Sequence, residues 1–274
     1  MAAMSVRIGA APGRATSAAI LTVAGVAFLL PLLAMLLFTF RVPGSPADFT
    51  LGHYAAVVDP LQELTDDQLL TGIVNSLAIA AITVGLVLLI LLPTIILVEL
   101  RYPAARRAIE FVCLLPLTVP TVVLVVGFVP VYRVVAGAFG SVAWTLSFAI
   151  GVIVLPYAYR PIQTAIAALD VVVLSEAARS LGANGLQVVV RILLPTLRRG
   201  ILSACFLTIA VVLGEFTIAS FLNQTTFQTA LFLLQQTDPY VAAIFALFAL
   251  ALAFALLLAI GRLGSFRPTR RAAR

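Results

Sequence analysis

The side chains able to do chemistry are few in this sequence, and their spacing limits what that chemistry could be. The single histidine, His53, lies in a polar connection with no second ligand-type residue at metal-site spacing, so it reads as an incidental surface residue. Cys113 and Cys205 both fall in apolar stretches and read as small buried hydrophobes, with neither a disulfide framework nor a metal site in prospect. All 17 basic residues are arginine. A phosphate loop of the form G-x-x-x-x-G-K-[ST] requires a lysine, so this chain carries no such nucleotide site and no cofactor is expected on it. Within the apolar stretches there is no Ser/His, paired-Asp or H-E-x-x-H set, which argues against an intramembrane hydrolase.

One acidic residue, Glu215, stands well inside an apolar segment, in Val211-Val212-Leu213-Gly214-Glu215-Phe216. An ionisable group at such a position costs about 2.5–3.5 kcal/mol on insertion scales, so it should face a bundle interior. Two readings are open: it lines a pathway and attracts a cation, or it hydrogen-bonds neighbouring spans and fixes their packing. Thr208 falls seven residues earlier on the same helical face, and Gly214 is expected to allow close helix approach. Asn75 and Ser76, at the outer end of another apolar segment, could line a path or cap a helix.

These residues must be positioned by elements that the composition already characterises. Of 274 residues, 62% are apolar and 10% charged, and the mean hydropathy is +1.16. An ordinary soluble domain carries about 25% charged residues. The composition therefore excludes a soluble enzyme, a disordered chain and a nucleic-acid-binding module, despite the net charge of +6. The apolar excess falls in blocks of the length, about 20 residues, that crosses a bilayer. Six spans are expected, near 18–40, 72–98, 108–132, 142–160, 201–222 and 240–261, giving an all-α polytopic transmembrane bundle. The first block exceeds a signal-peptide h-region of about 7–15 residues and reads as an uncleaved anchor.

The arginines orient the bundle. With both termini cytoplasmic, all except Arg41 and Arg133 fall on inner segments, as the positive-inside rule requires. The 41–71 connection is acidic, with Asp48, Asp59, Glu63, Asp66 and Asp67, and belongs outside. The expected organisation is a cytoplasmic tail over 1–17, a six-span transmembrane domain over 18–261 and a basic cytoplasmic tail over 262–274. Pro43-Gly44-Ser45-Pro46 should break the first helix, and Leu61–Leu70 predicts a short amphipathic helix on the membrane surface. Pro116, Pro120 and Pro130 should kink the third span. Trp144, Tyr157 and Tyr159 fit interfacial aromatic belts. No internal repeat stands out.

The connection from Arg160 to Gly200 is too long for a turn and too short for a domain. Asp170 can cap a helix over Val171–Leu181, which Gly182, Asn184 and Gly185 interrupt. A second short helix is expected over Leu186–Leu193, ended by Pro195. Two short helices meeting at a glycine make an L-shaped knob protruding from the membrane. Ala177 and Ala178 would keep one face flat for close packing, Glu176 would pair with an arginine within the loop or on another chain, and Gly182 would permit the turn.

Within this knob, Glu176-Ala177-Ala178 is followed by three residues, Gly182, nine residues and Ile192-Leu193-Leu194-Pro195. This resembles the EAA–G–I-x-LP pattern of the permease subunits of binding-protein-dependent ABC importers, in the loop before the penultimate span where that family carries it. The 51–76 region, from Leu51-Gly52-His53-Tyr54 to Asn75-Ser76, resembles the outer loop and the start of the core of such permeases. The resemblance implies a type I importer (MetI-like) permease fold in a bacterial inner membrane. It implies as partners a second, related but distinct permease, two ATP-binding subunits holding ATP and Mg, and an extracytoplasmic solute-binding protein. It also implies that Glu176, Ala177, Ala178, Gly182, Ile192, Leu194 and Pro195 couple to the ATPase. Gly214-Glu215-Phe216 resembles the polyamine-type branch, whose solutes include spermidine and putrescine, thiamine, ferric iron and aminoethylphosphonate. A polyamine or other small cation is the expected solute. An ion-coupled secondary transporter would instead show inverted repeats and several intramembrane charges, and neither is evident.

Overall fold

The computed structural model describes residues 13–58 and 63–265. Most of the expected N-terminal tail, most of the basic tail and Asp59 lie outside the described residues. Among the described residues, five helices are long and apolar enough to cross a membrane: Ala15–Phe38, Gln68–Arg101, Thr121–Phe139, Ala143–Ala167 and Gly185–Gly214. A sixth apolar helix follows over Pro239–Ala255. The all-α polytopic bundle is therefore what the chain forms, and four expectations about its details are corrected.

Helix α1 (Arg14–Phe38) leaves its apolar side chains uncovered and packs against the last helix, α13 (Pro239–Ser265). Beyond α1 the chain makes a short antiparallel hairpin, β1 (Arg41–Val42) with β2 (Ser45–Phe49), turning at Pro43-Gly44. Helix α2 (Gly52–Val58) follows. The first correction concerns the surface helix expected over Leu61–Leu70. Helix α3 (Glu63–Leu86) runs without a break from that segment into the second span, because no proline or glycine pair separates the amphipathic turn from the apolar one.

The second span continues from α3 through a π-helical turn, Val87–Leu91, into α4 (Leu92–Arg101). The third span is the second correction. Rather than one kinked helix from 108, it is α5 (Arg106–Leu114), a 3-10 turn at Leu115–Thr118 and α6 (Thr121–Phe139). Val119 is extended and Pro120 stands at the α6 N-cap, so the prolines at 116 and 120 divide the span instead of bending it, whereas Pro130 stays within α6.

Helix α7 (Leu146–Ala167) is the most enclosed span and provides much of the core, including Leu146, Ile150, Val154, Ile162 and Ile166. After it come α8 (Val171–Ser180), α9 (Gly185–Gln187), a π-helical turn at Val188–Leu193, and α10 (Leu194–Gly214). The third correction lies here: Pro195 does not end a short helix, because it sits in the first turn of α10 where its missing N–H is tolerated. The fifth span also ends at Gly214, eight residues earlier than expected. Two short helices, α11 (Thr217–Phe221) and α12 (Phe227–Thr237), follow before α13.

Both π turns end within the same pentapeptide, Ile90-Leu91-Leu92-Pro93-Thr94 and Ile192-Leu193-Leu194-Pro195-Thr196. In each, the threonine hydroxyl donates to the isoleucine carbonyl four residues back, at 2.6 Å for Thr94 and 2.5 Å for Thr196. Proline removes a backbone donor, and the wider turn with a side-chain donor re-satisfies the carbonyls without ending the helix. This local repeat went unseen in the sequence because five residues are too few to register as one.

Close helix approach occurs at glycines other than the expected one. A Cβ at Gly200 would lie 2.5 Å from Ala165 Cβ and 2.8 Å from the Pro161 carbonyl oxygen, so α10 and α7 are nearly in backbone contact. A Cβ at Gly72 would lie 2.7 Å from the Thr226 carbonyl oxygen, joining α3 to the start of α12. Gly214, the fourth correction, faces open space.

Candidate functional site

The knob is built from α8 and α9 at the arginine-rich end of the bundle. Asp170 caps α8 as expected, accepting from the Val173 amide at 3.1 Å. Val171, Ser175 and Ala178, at helical spacing, form its buried stripe. Ala177 faces outward, so the two alanines divide between faces: Ala178 packs against the bundle and Ala177 is on the surface. Glu176 is exposed and makes no ion pair with Arg179.

The α8 C-terminus closes in a Schellman arrangement. Gly182 N–H donates to the Arg179 carbonyl at 2.9 Å and Ala183 N–H to the Ala178 carbonyl at 3.1 Å. Gly182 has φ +89°, a left-handed conformation that favours glycine. Two residues later a reciprocal capping box starts the next helix: Gln187 N–H donates to Asn184 Oδ1 at 2.9 Å, and Asn184 N–H to Gln187 Oε1 at 3.0 Å. The corner is thus fixed by backbone–backbone hydrogen bonds on one side and by amide-to-side-chain bonds on the other. Its tip presents Leu181, 90% exposed, and Leu186, 74% exposed, with Glu176 and Ala177 one turn away. Ile192 and Leu194 pack against the core, while Pro195 is exposed.

Three of the four residues considered for a pathway hold together the end of the bundle away from the knob. Glu215 is extended between α10 and α11 and 9% exposed. Its carboxylate accepts from the Ile218 amide at 3.0 Å and the Ala219 amide at 3.4 Å, capping α11. Asn75 donates to the Thr225 carbonyl at 2.8 Å. Ser76 is buried and its hydroxyl accepts from the Phe227 amide at 2.9 Å, which secures the first turn of α12. Thr208 is fully buried in α10, and its hydroxyl has no hydrogen-bond partner among the described residues.

Sequence reasoning missed several participants. Gln228, which donates to the Leu213 carbonyl at 3.0 Å, and Thr229, whose hydroxyl accepts from the Thr226 amide at 2.8 Å, complete the outer assembly. His53 is no incidental surface residue: its ring stacks on Tyr240 with centroids 4.4 Å apart, and Tyr240 also stacks on Phe38 at 4.7 Å. Tyr159 is buried in the core rather than interfacial, whereas Tyr157 is exposed.

The family described as binding-protein-dependent transport system inner membrane component matches over residues 91–265, which takes in the whole knob. The chain is 25% identical over 206 residues to a protein of Sinorhizobium fredii named as a probable ABC transporter permease, covering 71% of this chain and 35% of that protein. It is 30% identical over 164 residues to PotB, the spermidine/putrescine transport system permease protein of Haemophilus influenzae, covering 54% of this chain and 57% of PotB. The chain thus spans about a third and somewhat over half of the lengths of these relatives. The family match extends over more than half of the sequence, through the multi-pass bundle and the knob that the geometry singles out, and the chain belongs to the binding-protein-dependent transport system inner membrane components.

Proposed function

We propose that this chain is one of the two membrane-spanning halves of an ATP-driven importer and that α8–α9 is its contact with a separate ATPase subunit. The observation that carries the reading is the rigid corner at Gly182, with exposed apolar and acidic side chains outside the bundle. A soluble surface would not present Leu181 and Leu186 in this way without a partner to cover them. The arginine-rich end then faces the cytoplasm, with both termini on that side. ATP and Mg are bound by the two ATPase partners, a related permease forms the other half, and an external binding protein delivers the solute. ATP binding draws the two knobs together and tilts the attached spans; hydrolysis releases them.

Glu176→Arg, or a bulky residue at Gly182, should leave the chain inserted while uptake is lost or separated from ATP hydrolysis. Normal ATP-driven uptake by these variants, reconstituted with the ATPase, overturns the docking assignment.

For the solute we infer a polyamine or similar small cation, and the likeness to PotB supports it. Thiamine, ferric iron and aminoethylphosphonate are the alternatives within the resembling branch. The charge of Glu215 lends this choice little, because its carboxylate is committed to the α11 amides. We assign Glu215, Asn75 and Ser76 to building the outer end of the pathway rather than to touching the solute. Thermal shift of the cognate binding protein with spermidine, putrescine, thiamine, ferric ion and aminoethylphosphonate decides the class. Stabilisation by anionic ligands alone overturns it.

A further inference from the structure

The root of the knob carries a polar cluster that neither the motif nor the family match assigns. Three helix ends converge there: the end of α4 with Glu99, the start of α5 with Arg106, and the last turns of α7 with Gln163. Arg106 Nη1 lies 3.4 Å from Glu99 Oε1. With its amide oxygen toward the guanidinium, Gln163 accepts from Arg106 Nε at 3.2 Å and from Nη2 at 3.0 Å. One guanidinium therefore joins side chains on two other helices. Glu99 is 18% exposed and Arg106 45% exposed at their side chains, so the pair is partly shielded from water, and that partial shielding favours its holding one geometry. Arginine suits the task, since its planar fork can contact two acceptors at once.

The cluster stands beside the coupling element. A cleft of about 330 Å³ is lined by Glu99, Arg106 and the 166–172 connection that joins α7 to the first turn of α8. Val171 is buried at that first turn, and α8 packs against α4. Any displacement of α8 reaches the spans through this root. If α4, α5 and α7 were free to slide separately, part of the movement would be lost in the cleft.

We propose that Arg106 is a positioning residue: by holding Glu99 and Gln163 together it clamps the ends of α4, α5 and α7, so that movement of α8 is delivered to the second and fourth spans as one body. This rests on the docking reading of α8–α9 above. The pair is a surface-accessible ion pair of the kind that adds little to stability alone, so the expected effect is on coupling rather than on folding.

The test uses the full complex in proteoliposomes, with radiolabelled spermidine as the probe solute and phosphate release measured in the same vesicles. Glu99→Arg and Arg106→Glu are each expected to lower uptake per ATP hydrolysed at least fivefold. The reversed pair, E99R with R106E, is expected to recover to within twofold of the unaltered complex. Single variants with unaltered uptake per ATP overturn the clamp, as does a reversed pair no better than the singles. Should the single variants fail to assemble, Arg106→Lys decides. Lysine keeps the charge and loses the fork, so it is expected to fall at least threefold in the same ratio, and an unaltered ratio overturns the clamp. Normal uptake by Glu176→Arg instead overturns the docking reading on which the clamp rests, whereas absence of spermidine uptake by the unaltered complex overturns the polyamine assignment, and uptake per ATP is then read with the solute that stabilises the binding protein.

Discussion

At the scale of single residues, the carboxylate of Glu215 and the missing side chains of Gly72 and Gly200 do unrelated work that the structure makes measurable. Glu215 accepts from two amides at the start of α11, where water cannot replace it. Glu215→Ala leaves those donors unsatisfied and is expected to destabilise the detergent-solubilised protein by about 1–2 kcal/mol, read as a lower thermal unfolding midpoint. Glu215→Gln keeps one acceptor and should fall between. At Gly200 an added methyl meets Ala165 and the Pro161 carbonyl, and at Gly72 it meets the Thr226 carbonyl, whereas at Gly214 it meets nothing. Gly200→Ala and Gly72→Ala should therefore each cost about 1–3 kcal/mol by overpacking, while Gly214→Ala leaves the midpoint within a degree or so of the unaltered protein. These three glycines look alike in sequence, each in or beside an apolar run. Only the neighbouring backbone distinguishes them.

At the scale of elements, the knob owes its shape to two neighbouring caps. The Schellman closure at Gly182 and the Asn184–Gln187 box fix the angle between α8 and α9 within four residues. Asn184→Ala removes the acceptor for the Gln187 amide and is expected to cost about 1 kcal/mol locally. Hydrogen exchange should show it as faster exchange of the amides at 186–188, with α7 and α10 unchanged. The effect should remain confined to the knob, because α10 is secured separately by its contact with α7 at Gly200. The prolines at 93 and 195 point the same way. Each follows a π turn and is bridged by a threonine hydroxyl, so a residue expected to stop a helix is carried inside one. Thr196→Val keeps the shape and deletes the donor, and should speed exchange around Val188–Leu193 more than anywhere else in α10.

At the scale of the whole molecule, the arrangement predicts sidedness. With Cys113 and Cys205 replaced by serine, a cysteine at Leu181 should react with an impermeant maleimide only from the cytoplasmic side, and one at Ser141 only from outside. The opposite pattern would invert the bundle and remove α8–α9 from any cytoplasmic ATPase. Much of this scale was legible in the sequence. Span count and the position of the knob between the fourth and fifth spans follow from hydropathy, which adds up along a segment one residue at a time. The Asp170 cap and the Gly182 turn were also legible, since a cap and its amide lie within three residues of each other. The engagement of Asn75 and Ser76 was not, whereas Glu215, whose partners lie three and four residues on, was hidden by the break between α10 and α11, which hydropathy does not show. Asn75 meets Thr225 across 150 positions and Ser76 meets Phe227 across 151. The division between Ala177 and Ala178 escaped for the same reason, because which face of α8 is buried depends on where α4 lies. Local chemistry therefore determined the spans and the caps of the knob. Tertiary structure alone decided which polar groups are already satisfied within the chain, because satisfaction depends on donors and acceptors that only packing brings within 3 Å of each other.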